Sequence, residues 1–514
     1  MLARNPRMVQ RTQAHVGSLP APVGGWNARD SLANMPPMDA VQLTNLFPGV
    51  SSCDIRGGFT NFATGMSGQV QTLMVYNGGS TSKMFAIDGT GKKIYDVTAG
   101  GAVGAPVYTG LTNALWEHTN ISTAGGNYLV CCNGVDPALI YDGSSWTTMT
   151  ITNVSSSALS HVLLFKNRLW FIEKNTLKAW YLPTQAISGA AQMLDLRSIA
   201  TQGGYLQDLE AWTIDGGYGV DDNLAFITSE GQVIVYRGTD PASAATWASM
   251  GEWQLGSPVG NRSMLKYGGD LLVLTYDGLV PMAQALQSSR LDPRVALSDK
   301  IQGAISAATQ VYGTLTGWQI FYYPKANALW INVPIALGSQ QQYVMNTITQ
   351  AWCNFTGWDA NCWELFNDDA YFGGDGVVCL AWDDGYVDNT SNIDTVGLQA
   401  FNYFEQRGIE KYFTRARPTI FTNGNPAIQV GLNVDFTITE NVAPISYTPN
   451  AAGTWDTGLW DTALWGQSLT RVSNWLGVTG VGYCGAVQFQ GASQGVNYQW
   501  ASTDVVYQAG WAGI

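Results

Sequence analysis

The sequence predicts an all-β protein: a β-propeller with additional β domains and few short helices. Three observations carry this. Short apolar or alternating runs recur with tight turns between them. The runs are rich in β-branched and aromatic residues, the composition of strands. The paired runs return every 40–60 residues or so, the spacing of propeller blades. Only 12% of the 514 residues are charged, with 38 acids against 25 bases and a net charge of −13. That balance excludes a basic, phosphate-neutralising nucleic-acid binder. With 46% hydrophobic residues and 20 tryptophans it also excludes a disordered chain.

Taken in order, residues 1 to about 23 read as an irregular arm. Arg4, Arg7 and Arg11 stand in it with no acid before Asp30. It is either a frayed terminus or a docking arm. The boundaries expected are an arm and leading segment over 1–69, a propeller over 70–399, and a C-terminal β domain over 400–514. Within the propeller, Met84 to Tyr95 is one hairpin. Val162 to Ile172 turns at Lys166-Asn167, Leu224 to Tyr236 at Glu230-Gly231, and Met264 to Tyr276 at Gly268-Gly269. Trp318 to Val333 and Ala370 to Trp382 complete the series. Turn dipeptides between such runs are the strongest local hairpin signal. Radial repetition also protects strand edges. A sandwich or a β-helix would give similar local patterns. Short helical turns are expected at Asp208–Trp212 and Ala283–Gln287, and a helix over Ile301–Gln310. After residue 400 the texture shifts. Val430 to Ile438 alternates as a half-buried strand, and a five-residue repeat follows, Trp455-Asp-Thr-Gly-Leu-Trp460-Asp-Thr-Ala-Leu-Trp465.

Sites of chemistry are scarce. Gly491-Ala-Ser493-Gln-Gly495 has the spacing of a nucleophile elbow, but His15, His118 and His161 all precede it, and that hydrolase order needs a later histidine. Gly89-Thr-Gly91-Lys92-Lys93 lacks the first glycine and the Ser/Thr of a phosphate loop. The nine acids of 359–400 (Asp359, Glu364, Asp368, Asp369, Asp375, Asp383, Asp384, Asp388 and Asp394) face no Lys or Arg in that stretch. They could supply a glycosidic carboxylate pair, though Asp-Gly and Asp-Asp turns explain most of them. No calcium-loop pattern occurs among them. The tryptophans at 170, 318, 330 and 382 are expected to pack in the core. Trp455, Trp460 and Trp465 suit burial against a partner subunit or a ligand platform. The seven cysteines, odd in number and without a Cys-x-x-Cys, read as small buried hydrophobes. With no signal-like or membrane-spanning stretch, synthesis in a cytoplasm is expected, without membrane insertion. No cofactor is expected.

One further feature is a resemblance. Gly25-Trp-Asn-Ala-Arg-Asp-Ser-Leu-Ala-Asn-Met-Pro-Pro-Met-Asp-Ala-Val-Gln-Leu-Thr-Asn-Leu-Phe-Pro48, followed by Arg56-Gly57, resembles the opening of the tail nozzle proteins of short-tailed bacteriophages, also called tail tubular or packaged-DNA stabilisation proteins. The stretch from Tyr236-Arg-Gly-Thr-Asp-Pro through Tyr267 to Pro281 and the Trp-Asp-Thr repeat look like the same family. The resemblance implies a non-enzymatic virion protein: a subunit of a hexameric ring below the head-to-tail adaptor ring. It would retain packaged double-stranded DNA and pass it during ejection without reading its sequence. Tail fibres and a tail-tip needle protein are further partners implied. In that setting Arg4, Arg7, Arg11, Trp455, Trp460 and Trp465 are candidate assembly contacts. Asp435, Glu440, Asp456 and Asp461 are candidate acids of a lumen that repels phosphates. The competing expectation is a glycan-binding or glycan-cleaving propeller.

Overall fold

The computed structural model describes residues 13–215, 220–285, 295–439 and 469–510. Strands make up 55% of the described residues and helices 6%, so the all-β expectation holds. The chain divides into two compact units, one of residues 59–347 with 356–383, the other of 1–58, 348–355 and 384–514.

The first unit is a β-propeller, with seven blades among the described residues. Blade 1 is the second half of the strand Gly58–Asn77 with Ser82–Asp88 and Ile94–Asp96. Blade 2 starts at the strand Glu117–Thr123, blade 3 at Leu159–Phe165 and blade 4 at Leu206–Asp215. Blades 5, 6 and 7 start at Met264–Tyr267, Gln319–Tyr323 and Trp363–Phe366. The first strands of blades 2 to 7 neighbour one another in order, so they surround the axis.

One strand closes the ring. Gly58–Asn77 lies beside Asp375–Asp383 of blade 7 and then pairs with Ser82–Asp88 of blade 1. Its change of sheet falls near Gly68, whose φ of +71° and lack of a Cβ let the backbone pass against the Thr90 side chain. Five apolar clusters among the described residues are each shared by two adjacent blades. Ile121, Val130 and Ile140 of blade 2, for example, pack on Val162, Leu169 and Phe171 of blade 3. Between blades 6 and 7 the filling is aromatic, with Trp330 and Trp363 at 4.8 Å and Trp330 stacked on Trp382 at 6.2 Å.

The hairpins form where expected. Lys166 and Asn167 take φ of +48° and +57°, the paired left-handed residues of a two-residue hairpin turn. Helices form at Gln302–Tyr312 and, for a single turn, Met282–Ala285. Asp208–Trp212 is a correction: it belongs to the strand Leu206–Asp215, laddered against Val220–Thr228. Its Leu, Glu and Ala favour a helix weakly, and sheet pairing overrides that preference.

The second unit is a two-sheet sandwich built from both ends of the chain. In one sheet Tyr498–Ala509 lies between Lys411–Thr422 and the N-terminal strands Ala14–Pro20 and Cys53–Ile55. In the other, Asp39–Thr44, Ile393–Gln399, Gly485–Ser493 and Ala427–Val434 run side by side. Phe413, Val505 and Tyr507 of the first sheet pack on Val487 of the second, and Trp500 stacks on Phe489 at 4.8 Å. The borders thus differ from the expected 1–69, 70–399 and 400–514. Residues 14–20 are a sandwich strand rather than an arm, and the propeller takes 59–383 apart from 348–355. Partners more than 480 residues apart in sequence, such as Ala14 and Gln508, leave no local trace.

Candidate functional site

A set of buried ionisable side chains, Glu117, His118, His161, Asp208, Glu210, Arg262 and Glu364, lies on or beside the first strands of the blades. Arg262 stands just before the first strand of blade 5. Its Nε donates to Glu117 Oε1 at 3.0 Å, its Nη2 to the Trp116 carbonyl at 2.8 Å and its Nη1 to Gln319 Oε1 at 3.4 Å. One guanidinium therefore joins blades 2, 5 and 6. Burial works against its charge, but Glu117, Cys362 and Glu364 together outweigh it, so its pKa is raised. Gln319 continues the network: it accepts from the Trp363 N–H at 3.0 Å and donates to the Trp363 carbonyl at 3.0 Å, tying blade 6 to blade 7.

Asp208 does the same for blades 3 to 5. It approaches His161 Nε2 at 3.2 Å and accepts from the Ser263 hydroxyl and from the amides of Ser263 and Met264, each at 3.0 Å. Burial raises its pKa to about 6, against the opposing effect of His161 and these donors. Glu210, two residues on and on the same face of the strand, is pushed to about 7, again by burial. On blade 2, His118 lies 3.5 Å from Glu364 of blade 7. Burial, then the Arg262 charge, lowers His118 to about 3, while burial raises Glu364 to about 7. His118 is therefore neutral at pH 7.

Above Arg262 a cavity of about 390 Å³ opens at one mouth of the propeller. Glu117 and Arg262 reach it, with Gln207, Asn261, Thr314, Thr316 and Tyr205 among its other walls. No group of three or more His, Cys, Asp or Glu side chains is arranged for a metal ion among the described residues.

Of the site residues expected from the sequence, Arg4, Arg7, Arg11, Glu440, Trp455, Asp456, Trp460, Asp461 and Trp465 lie outside the described residues. Asp435 is exposed at the turn after Ala427–Val434, with φ of +47°. Its Oδ1 accepts the N–H of Tyr483 at 2.7 Å and of Cys484 at 3.2 Å, so it braces a turn of the sandwich. The nine acids of 359–400 are dispersed. Glu364 reaches the axis, Asp369 pairs with Lys325 at 2.6 Å, and Asp388 holds Arg56. Ser493 of the Gly-x-Ser-x-Gly run exchanges hydrogen bonds with the backbone of Val496. All seven cysteines are free and buried, as expected. Trp170, Trp318 and Trp330 are buried, and Trp382 is half-buried. No sequence spacing marks Arg262, Asp208 or Glu210, because each comes from a different blade or pairs across blades. The available signal is a charged residue at the start of an apolar hairpin in a charge-poor chain.

Fold and axis together define a β-propeller whose first strands are locked by buried polar contacts, carrying a separate β-sandwich. No family model matches the chain, and no curated protein matches it. Solved structures do. The β-propeller domain of Swd1 from Myceliophteria thermophila matches at 12% identity over 63% of this chain and 99% of that one, with a TM-score of 0.41. Sqt1 from Saccharomyces cerevisiae matches at 11% over 70% and 86%, TM-score 0.34. YCF48 from Cyanidioschyzon merolae matches at 10% over 65% and 99%, TM-score 0.34.

Proposed function

We propose that the chain is a structural subunit of a ring-shaped tail nozzle, below the adaptor ring of a short-tailed bacteriophage, that retains packaged DNA and conducts it during ejection. The reading rests first on the resemblance of residues 25–57. The observation that carries it further is where those residues lie. Asp39–Thr44, Leu46–Pro48 and Cys53–Ile55 are strands of the sandwich, and Arg56 is its fully buried ion-pair partner. The segment that bears the resemblance is framework rather than a reactive site, as a scaffold protein requires. The propeller axis is in keeping with the same reading, since Arg262 and Asp208 there join neighbouring blades. A charge-poor surface suits a subunit that buries much of itself in head-to-tail contacts.

In this account the tube acids repel DNA phosphates, and the basic arm docks on a neighbouring ring or subunit. Virions carrying Asp456→Lys with Asp461→Lys should eject DNA more slowly, measured by dye release on receptor-triggered particles. Deleting residues 1–13 should lower incorporation of the protein into tails. Parental ejection and incorporation in both variants would count against the proposal.

A further inference from the structure

We propose that the propeller mouth above Arg262 is a binding site for a neutral, hydroxyl-bearing ligand, a short saccharide. The cavity of about 390 Å³ falls within the size range of ligand pockets and has room for a short chain of sugar rings. Its floor is a matched donor and acceptor. Arg262 spends three of its five N–H donors on Glu117, Gln319 and the Trp116 carbonyl. Glu117 uses one carboxylate oxygen on Arg262 and has the other to offer. A guanidinium beside a carboxylate presents donor and acceptor side by side, the complement of a sugar diol, whose hydroxyls both give and accept hydrogen bonds.

Charge argues against other ligands. The one cation and the one acid on the wall cancel each other, so neither a phosphate nor an ammonium group meets an uncompensated partner. The rest of the rim is uncharged, with polar Gln207, Asn261, Thr314 and Thr316 interleaved with apolar Leu115, Pro258 and Leu315. Asn261, Thr314 and Thr316 are exposed, and their side chains have no hydrogen-bond partner among the described residues. Tyr205, 40% exposed, adds an aromatic side chain at the edge, the residue type that packs on sugar rings. The site does not depend on ring assembly, and its test is separate from that of the nozzle reading.

The full chain should be screened on an array of neutral and acidic glycans, with a neutral peptide library as a parallel arm. Hits are then titrated by calorimetry against the parent and an Asn261→Ala, Thr314→Ala, Thr316→Ala variant. These three side chains are exposed and unpartnered, so the variant should melt with the parent. The expected result is retention of at least one neutral glycan and an affinity about tenfold lower in the variant, the loss of a few neutral hydrogen bonds. A second variant, Tyr205→Ala, should weaken the same glycan. Retention of no neutral glycan would overturn the proposal. So would preference for acidic glycans or peptides, or an affinity indifferent to both variants.

Discussion

Removing Asp388 should unfold the sandwich unit more readily than any surface change in it. Arg56 is fully buried, and Asp388 is 7% exposed. Arg56 Nη1 and Nη2 donate to the two carboxylate oxygens at 2.8 and 2.5 Å. Two further donors are used: Nε reaches Asn45 Oδ1 at 2.9 Å, and Nη1 also reaches the Gly57 carbonyl at 2.8 Å. The Phe355 ring lies 5.9 Å from the guanidinium. Asp388→Ala removes the carboxylate that both Nη atoms reach and leaves the cation buried. Breaking such a pair from one side costs about 3–5 kcal/mol. In a unit of this size each kcal/mol moves the melting point by about 2–4 °C, so a drop of about 6–20 °C is expected. The assay is scanning calorimetry of the full chain, because the 20 tryptophans spread over both units would blur a fluorescence readout. The double variant Arg56→Met, Asp388→Leu removes both charges and should recover much of the loss, because an apolar replacement of a buried pair is often near neutral. A single variant melting with the parent, or a double variant worse than the single, would refute the reasoning.

Further outcomes follow from other buried groups. Asp208, Glu210 and Glu364 titrate at about 6, 7 and 7 when folded, against about 4 when unfolded. The folded propeller therefore holds the extra protons in between, and stability should fall as pH rises from about 5 to about 7.5. His118, lowered to about 3, opposes this below about pH 6.5; Glu364→Gln should flatten the decline in a series of melting curves. Lys411 is buried with its ammonium donating to the carbonyls of Gln406, Ile409 and Tyr483 at 2.6–2.9 Å. Lys411→Met leaves those carbonyls unpaired and should cost about 2–4 kcal/mol in denaturant titrations. Burial raises the thiols, Cys362 and Cys379 to about 12, so the native protein should be inert to a thiol-titrating disulfide at neutral pH and should react fully only when unfolded.

What the sequence made legible was what neighbouring residues decide. The Lys166-Asn167 turn, the hairpins on either side of Glu230-Gly231 and Gly268-Gly269, and the buried tryptophans are all local or compositional. The strand at Asp208–Trp212 was not, because its identity depends on a ladder with Val220–Thr228 rather than on its own preferences. The double use of Gly58–Asn77 and the pairing of Ala14–Pro20 with Tyr498–Ala509 are long-range, and no local pattern records them. The axial network is hidden for the same reason. His118 and Glu364, or Arg262 and Glu117, meet only after seven blades have closed, with well over a hundred residues between the members of each pair. The acid-rich stretch 359–400 drew attention as a group, yet its members act singly, Glu364 at the axis and Asp388 in the sandwich.

The most direct test of the proposed role is negative-stain imaging of the purified full chain, alone and with candidate adaptor rings. The account predicts closed rings with six-fold symmetry and an open centre, stacking on the adaptor. A protein that stays a well-behaved monomer at high concentration and ignores adaptor rings would contradict it.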